Sequence, residues 1–376
     1  MSRVLISANA GWNIVNFRSG LVRALIADGH AVIAAIPDDD AVPAVRALGA
    51  RTIVLPIARG GVSVIGDLIL VARFALIMQA ERPDIVLSWT IKPNVYGAFA
   101  AALFGIPAIA NISGLGTAFI RSNWLTILVK GLYRIGLGRA ALVFFQNEDD
   151  CALFVGFGLV RPAHCTVLPG SGIDVAAFDP TAYPPKTDDV FRFLLIARLI
   201  RDKGVHEFVD AARSLASQHP GAVFEILGPI DQDNHTAIAS ATLQRWIDDG
   251  AIRYLGSADD VRPPIARADC VVLPSYREGT SRVLLEAAAM ARQAIATDVP
   301  GCRDVIVDGV TGLLCRVRDA GDLAAKMTTM LAMTASERAT MGAAARADVT
   351  HRFAESLIIA AYRAAIAKAL QDKDIQ

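Results

Sequence analysis

The stretch FRFLLIARLIRDKGVHEFVDAARSLAS, Phe191 to Ser217, decides the architecture. Phe191–Ala197 is a short apolar run rich in large and branched residues, the pattern of a buried strand. RLIRDKG, Arg198 to Gly204, is polar and ends in glycine. From Val205 to Ser217 the apolar residues recur at helical spacing. Strand, charged loop and helix in that order form one half of a βαβ crossover, and such units stack into parallel sheets. The unit recurs toward the C-terminus: Val223–Leu227, a helix over Ile238–Asp248, Ile252–Leu255, Cys270–Leu273, a helix containing Glu286, and Ala294–Thr297. It also recurs upstream. Val4–Ser7, Ala31–Ile36, Thr52–Leu55, Ile85–Ser88, Ala108–Ile112 and Leu142–Phe145 read as strands, with helices over Phe17–Asp28, Ile65–Ala80, Val95–Phe104 and Leu125–Gly136. Asp179–Asp189, DPTAYPPKTDD, breaks every period and reads as a linker. The expected fold class is therefore α/β, two Rossmann-like doubly wound parallel-sheet domains. The first spans residues 1–178 and the second 190–350, with a helical tail over 351–376 that packs back on the first domain.

The chain has 376 residues, 53% of them hydrophobic, so it can bury two ordinary cores. Its formal net charge is zero, which argues against a nucleic-acid binder. Residues 1–178 carry 14 Lys/Arg against 11 Asp/Glu, and the remainder 23 against 26. Five cysteines without C-x-x-C spacing read as reduced thiols of a cytoplasmic protein rather than a zinc site. Met1–Ala8 reads as a strand, so no signal peptide is expected. Pro93–Ile120 has no charged residue, but its glycines and Pro107 divide it into helix, strand and loop rather than a membrane span.

Open α/β sheets bind ligands beyond the carboxyl ends of their strands, so the segments after the strands matter most. After the first strand, Gly11 precedes a helix without a G-x-G-x-x-G or P-loop pattern, which leaves close backbone approach to an anion. After Phe191–Ala197, Arg198 and Lys203 can converge on one anion. After Cys270–Leu273 comes PSYREGTSRVLLEAA, with Glu278 and Gly279 in a turn, Thr280 or Ser281 capping a helix, and Glu286 inside that helix. Free N–H groups near Gly279 and Thr280 suit a phosphate or sugar oxygen, and the two carboxylates suit hydroxyl donors. Each of these features also has a plain structural reading as a turn, a solvated loop or a surface carboxylate. Asp38–Asp40 and Glu148–Asp150 read as helix starts, and His30 as structural; none of the six histidines forms an i, i+4 ligand pair.

Taken together, ARLIRDKG, LPGSGIDVAAFDP and E-x7-E followed by DVPGCRDVIVDGVTGLL resemble the retaining glycosyltransferases of family 4, which have the GT-B fold with two domains facing a cleft. NFRSGLVRALIADGHAV, WTIKPNVYG and ISGLGTAF resemble a branch that elongates polyprenyl-diphosphate-linked saccharides for surface polysaccharides or glycans. The resemblance implies a nucleotide-sugar donor, with UDP expected, and no cofactor or metal. Arg198 and Lys203 would bind the diphosphate, Glu278 the transferred sugar with help from Gly279 and Thr280, and Glu286 the ribose. Gly11 would close on the phosphates, and Gly170–Asp174 would lie near the cleft. Many members carry a histidine after the fourth strand; this chain has Ile91 there, so that role does not carry over. Asn13, Lys92, Asn94 and Gly116 are the acceptor-side candidates. Phe119–Arg139, basic and aromatic, reads either as an amphipathic helix packed on the first sheet or as a contact with an anionic membrane at the inner face of the cytoplasmic membrane. A sugar-nucleotide 2-epimerase and a non-catalytic two-domain binding protein are the alternatives. The first lacks its histidine pair here, and the second is usually exported.

Overall fold

The structure is a computed structural model of the chain, and it describes all residues except 59–62, 115–123, 185, 232–233, 235 and 376. Side chains at 124–129 and 374–375 also lie outside the description. The chain divides into two compact units, Met1–Ser171 with Glu355–Gln376, and Gly172–Ala354.

The first unit holds a sheet of seven strands: β1 Arg3–Ser7, β2 Ala31–Ile36, β3 Arg51–Val54, β4 Ile85–Trp89, β5 Ala108–Ile112, β6 Leu142–Phe145 and β7 Cys165–Val167. Their order is β3-β2-β1-β4-β5-β6-β7, and every pair is parallel. β4 and β5 are buried at all five positions each, as strands covered by helices on both faces must be. The helices are α1 Gly11–Phe17, α2 Ser19–Ala27, α3 Val42–Ala47, α4 Val64–Glu81, α5 Ala98–Leu103, α6 Trp124–Leu137 and α7 Glu148–Gly156. The expected helix over Phe17–Asp28 is α2, Ser19–Ala27; Phe17 instead ends the preceding α1, and Arg18 between them leaves helical geometry at φ −136° with its guanidinium buried over the Trp89 ring. The expected helix over Val95–Phe104 opens with a π turn, Pro93–Gly97.

The second unit holds six strands: β8 Phe191–Ile196, β9 Ala222–Leu227, β10 Arg253–Tyr254, β11 Cys270–Leu273, β12 Gln293–Thr297 and β13 Leu313–Cys315. The order is β10-β9-β8-β11-β12-β13, again all parallel. Around them pack α8 Val205–Ala216, α9 Ser240–Asp248, α10 Arg262–Arg267, α11 Arg282–Ala289, α12 Ala320–Ala332 and α13 Ala335–Phe353. In both sheets the chain starts at the centre, winds one way, and then reverses. The reversal falls between β1 and β4 in the first unit and between β8 and β11 in the second.

The proline-rich stretch 179–189 is not the connection between the units. It lies inside the second, where Lys186 pairs with Asp269 at 2.5 Å. The chain passes between the units at Ser171–Gly172 and again at Ala354–Glu355. The last helix, α14 Glu355–Ile375, belongs to the first unit. Its Ile358, Tyr362 and Ile366 join the core formed by β1, β2, β4 and α2. The Tyr362 hydroxyl accepts from Trp89 Nε1 at 2.9 Å and from Asn111 Nδ2 at 3.2 Å. Among the described residues no helix is long and apolar enough to cross a membrane. All five cysteines are free thiols, three of them buried.

Candidate active site

The reversal between β8 and β11 marks the carboxyl ends of these strands as the place where doubly wound sheets bind ligands. Two loops meet there. The one after β8 forms a 3-10 turn, Arg201–Lys203, and then Gly204 at φ 70° before α8. The one after β11 runs from Pro274 to Ser281 and enters α11. Gly204 sits so close to the second loop that a Cβ would stand 2.0 Å from the Pro274 carbonyl oxygen, and its φ disfavours any side chain. The Tyr276 N–H donates to the Asp202 carbonyl at 2.9 Å. These contacts hold Lys203 over Glu278.

The result is an ion pair, Lys203 Nζ to Glu278 Oε1, at 2.5 Å. The Ser275 hydroxyl donates to the same oxygen at 2.6 Å. Ser275 is itself fixed, since its carbonyl accepts from the Thr297 hydroxyl at the end of β12. Gly301, at φ 78°, presses on the other side of the loop; a Cβ there would stand 1.9 Å from the Gly279 carbonyl oxygen. The Ser281 N–H donates to the Gly301 carbonyl at 3.1 Å, and the Ser281 side chain caps α11 at Leu284. Gly279 and Thr280 therefore stand between two braced points at the mouth of α11. Cys302 lies close behind; burial raises its thiol pKa well above the ordinary value, and the Glu278 charge pushes the same way.

Glu286 is buried one turn inside α11 and accepts from Arg282 Nε at 2.9 Å. Burial raises its carboxyl pKa, and the Arg282 charge opposes that rise. Arg282 Nη1 also donates to the Gly172 carbonyl at 2.8 Å, which brings the Gly170–Asp174 segment to the start of α11. Arg198 leaves β8 as expected, but its side chain is exposed and pairs with Asp231 at 2.7 Å. The structure thus unites Lys203 with Glu278 and assigns Arg198 and Glu286 other partners. Sequence reasoning missed Ser275, Arg282 and Asp231. Arg282 had a signal, an opposite charge four residues before Glu286 on a helix.

The β1/β4 reversal holds the acceptor-side candidates. The Gly11 N–H donates to Asp39 Oδ2 at 2.8 Å, and the same carboxylate accepts from the Ala41 N–H at 3.1 Å. Asp39 is thus a brace for the loop after β1 as well as a helix start. Asn13 Nδ2 donates to Asn9 Oδ1 at 2.8 Å, and the Asn9 N–H donates to the Thr90 hydroxyl at 3.2 Å. Thr90, just after β4, is held at φ 71°. Lys92 pairs with Asp67 at 2.8 Å. Asn94 is buried, and its amide both donates to and accepts from the Asn111 backbone. It ties the π turn to β5 and presents no polar group outward. Gly116 lies outside the described residues, as do residues 119–123 of the expected membrane segment. No group of three or more His, Cys, Asp or Glu able to hold a metal ion occurs among the described residues.

A profile of glycosyl transferases group 1 matches residues 190–333, and a profile of the glycosyl transferase 4-like domain matches residues 15–170. Together the two matches span both units, and the chain belongs to the glycosyltransferases. This glycosyltransferase is 27% identical, over 88% of its length and 89% of the relative's, to the N,N'-diacetylbacillosaminyl-diphospho-undecaprenol alpha-1,3-N-acetylgalactosaminyltransferase of Campylobacter jejuni. It is 22% identical to the UDP-Gal:alpha-D-GlcNAc-diphosphoundecaprenol alpha-1,3-galactosyltransferase of Escherichia coli over 72% of each chain. Among solved structures, Anabaena HepE in complex with UDP-glucose superposes with a TM-score of 0.78 at 20% identity, covering 99% of this chain and all of the other. That likeness establishes the GT-B fold of this glycosyltransferase.

Proposed function

We propose that this glycosyltransferase moves a sugar from a nucleoside-diphosphate donor, UDP-linked, to a polyprenyl-diphosphate-linked saccharide, with retention at the anomeric carbon. The observation that carries the proposal is the Lys203–Glu278 pair at the β8/β11 reversal. A departing diphosphate gains negative charge as the glycosidic bond breaks. A preorganised ammonium and the N–H groups at the mouth of a helix stabilise that charge more in the transition state than in the bound donor. Lys203 is assigned to the diphosphate, and Arg198 joins it on releasing Asp231. Glu278 accepts hydroxyls of the transferred sugar, with Gly279 and Thr280 beside it. Glu286 accepts from the ribose, and its ion pair with Arg282 opposes the rise in carboxyl pKa that burial causes. Retention follows if the acceptor hydroxyl attacks from the leaving-group face and passes its proton to the departing phosphate oxygen. No metal is assigned a role.

The two undecaprenyl-diphosphate enzymes among the relatives support the acceptor class, and the HepE complexes with UDP support the base. Asn13 and Lys92 are assigned to the acceptor, at the inner face of the cytoplasmic membrane. The test has two stages. Melting curves with UDP, GDP and ADP at millimolar concentration identify the base, since a ligand at 100 times its Kd stabilises by about 2.7 kcal/mol. A donor screen against short-chain polyprenyl-diphosphate saccharides then gives the product, whose anomeric configuration is read by NMR. Stabilisation by no nucleoside diphosphate, or an inverted product, would overturn the reading.

A further inference from the structure

Tyr276, one residue after Ser275 and two before Glu278, is gripped on three sides by other elements of the second unit. Its N–H donates to the Asp202 carbonyl at 2.9 Å, on the turn that carries Lys203. Its hydroxyl donates to Glu207 Oε1 at 2.6 Å, in the first turn of α8. The Arg318 guanidinium lies over its ring, 4.5 Å from the centroid. Arg318, between β13 and α12, is held at φ 59°, a left-handed conformation that a residue with a side chain keeps only where its surroundings hold it.

The hydroxyl contact does more than fill space. Glu207 Oε2 is buried without a hydrogen-bond partner, and the Tyr276 hydroxyl meets the other oxygen of the same carboxylate. A first-turn glutamate serves its helix equally well in water. This one gives up solvent to hold a tyrosine, a desolvation cost that the helix does not require. Burial pushes the Tyr276 hydroxyl pKa up to about 12; Glu207 adds to the rise and Arg201 opposes it, so the hydroxyl stays protonated and keeps donating. Helix α8 opens directly after Lys203 and Gly204. One tyrosine therefore grips the Lys203 segment on both flanks, at the Asp202 backbone and at the Glu207 side chain, while its own loop carries Glu278.

We propose that Tyr276, clasped by Glu207, is a positioning residue that fixes Lys203 against Glu278 and so holds the ammonium where a donor diphosphate meets it. The diphosphate rests on the proposed function; the clasp stands on its own geometry. The test reads Lys203 directly. Brief acylation of the full chain with acetic anhydride, followed by mass spectrometry, gives the relative reactivity of each lysine. Lys186 is the internal reference, because its side chain has the same 20% exposure and its own ion pair, to Asp269, in the same unit. Tyr276→Phe keeps the ring beneath Arg318 and removes only the hydroxyl. It should raise the labelling of Lys203 relative to Lys186 by about fivefold and weaken UDP binding by about tenfold in calorimetry, as expected when a hydrogen bond to a charged group is lost. In a K203M background the same substitution should leave UDP affinity unchanged, because it acts through Lys203. Should Y276F fold poorly by circular dichroism, E207A removes the other partner of the clasp and carries the same expectations. A labelling ratio that stays at the wild-type value overturns the proposal. So does a rise shared equally by Lys186, the mark of general loosening, or an undiminished loss of UDP affinity in the K203M background. UDP binding by the wild type with an unchanged ratio in Y276F faults the clasp and leaves the donor reading. A selective rise at Lys203 in a chain that binds no nucleoside diphosphate faults the donor reading and leaves the clasp.

Discussion

Replacing Lys203 with methionine tests the centre of the site, because the structure separates two consequences. The side chains of Lys203 and Glu278 are 20% and 14% exposed, and the Ser275 hydroxyl also donates to the paired carboxylate oxygen. Breaking a fully buried pair costs about 3–5 kcal/mol; with this much exposure and Ser275 retained, about 2 kcal/mol is expected. For a unit of this size that lowers the melting temperature by about 4–8 °C. The catalytic consequence is larger. Losing one preorganised donor to developing charge costs about 2.7–4 kcal/mol, or roughly 100- to 1,000-fold in kcat. K203M/E278Q removes both charges, so it should regain most of the melting temperature and none of the turnover. The assay is single-turnover transfer at saturating donor and acceptor, with melting curves on the same samples. If K203M stays within tenfold of wild-type turnover while its melting temperature falls, Lys203 is only the structural partner of Glu278, and the diphosphate assignment is wrong.

Other outcomes follow from the same geometry. Glu286→Gln should weaken binding of the nucleoside diphosphate by roughly 10- to 100-fold by calorimetry, the worth of a charge-assisted hydrogen bond, and slow the chemical step less. Because burial raises the Glu286 carboxyl pKa, its proton returns at a higher pH than on an ordinary glutamate, so wild-type affinity should decline early on acidification; Glu286→Gln should lack that component. Gly204→Ala forces a Cβ against the Pro274 carbonyl at positive φ and should destabilise by about 2 kcal/mol or more in urea titration, with transfer lost as the loop carrying Lys203 shifts. Tyr362→Phe leaves the Trp89 and Asn111 donors buried without their acceptor and should cost about 2–4 kcal/mol in the same titration.

The alternation of strand and helix was legible because parallel strands buried on both faces read as unbroken apolar runs, as β2 and β11 do. The strand order that sets Lys203 and Glu278 beside a reversal was not legible in this way and comes from the structure. What the sequence hid was long-range. Lys92 and Asp67 are 25 positions apart, and Trp89 and Tyr362 are 273 apart; no periodicity links such partners. The 179–189 stretch has the composition of a linker yet is anchored by the Lys186–Asp269 and Asp188–Arg192 ion pairs, because proline and charge report local geometry and not attachment. Arg18 breaks a helix for the sake of a stacking contact on a strand far along the chain. Glu286 was readable as an uneasy carboxylate on an apolar helix, and its burial against Arg282 is the reason.

The return of α14 to the opening sheet has a consequence for biogenesis. Residues 1–171 leave the ribosome without Ile358, Tyr362 and Ile366, so their sheet carries an unfilled hollow while the other 205 residues are made. At ordinary elongation rates that interval is roughly 10–40 s, long enough for chaperones to engage the nascent half. Truncation from the tail end would leave that hollow permanent, and so injure the half of the polypeptide synthesised first.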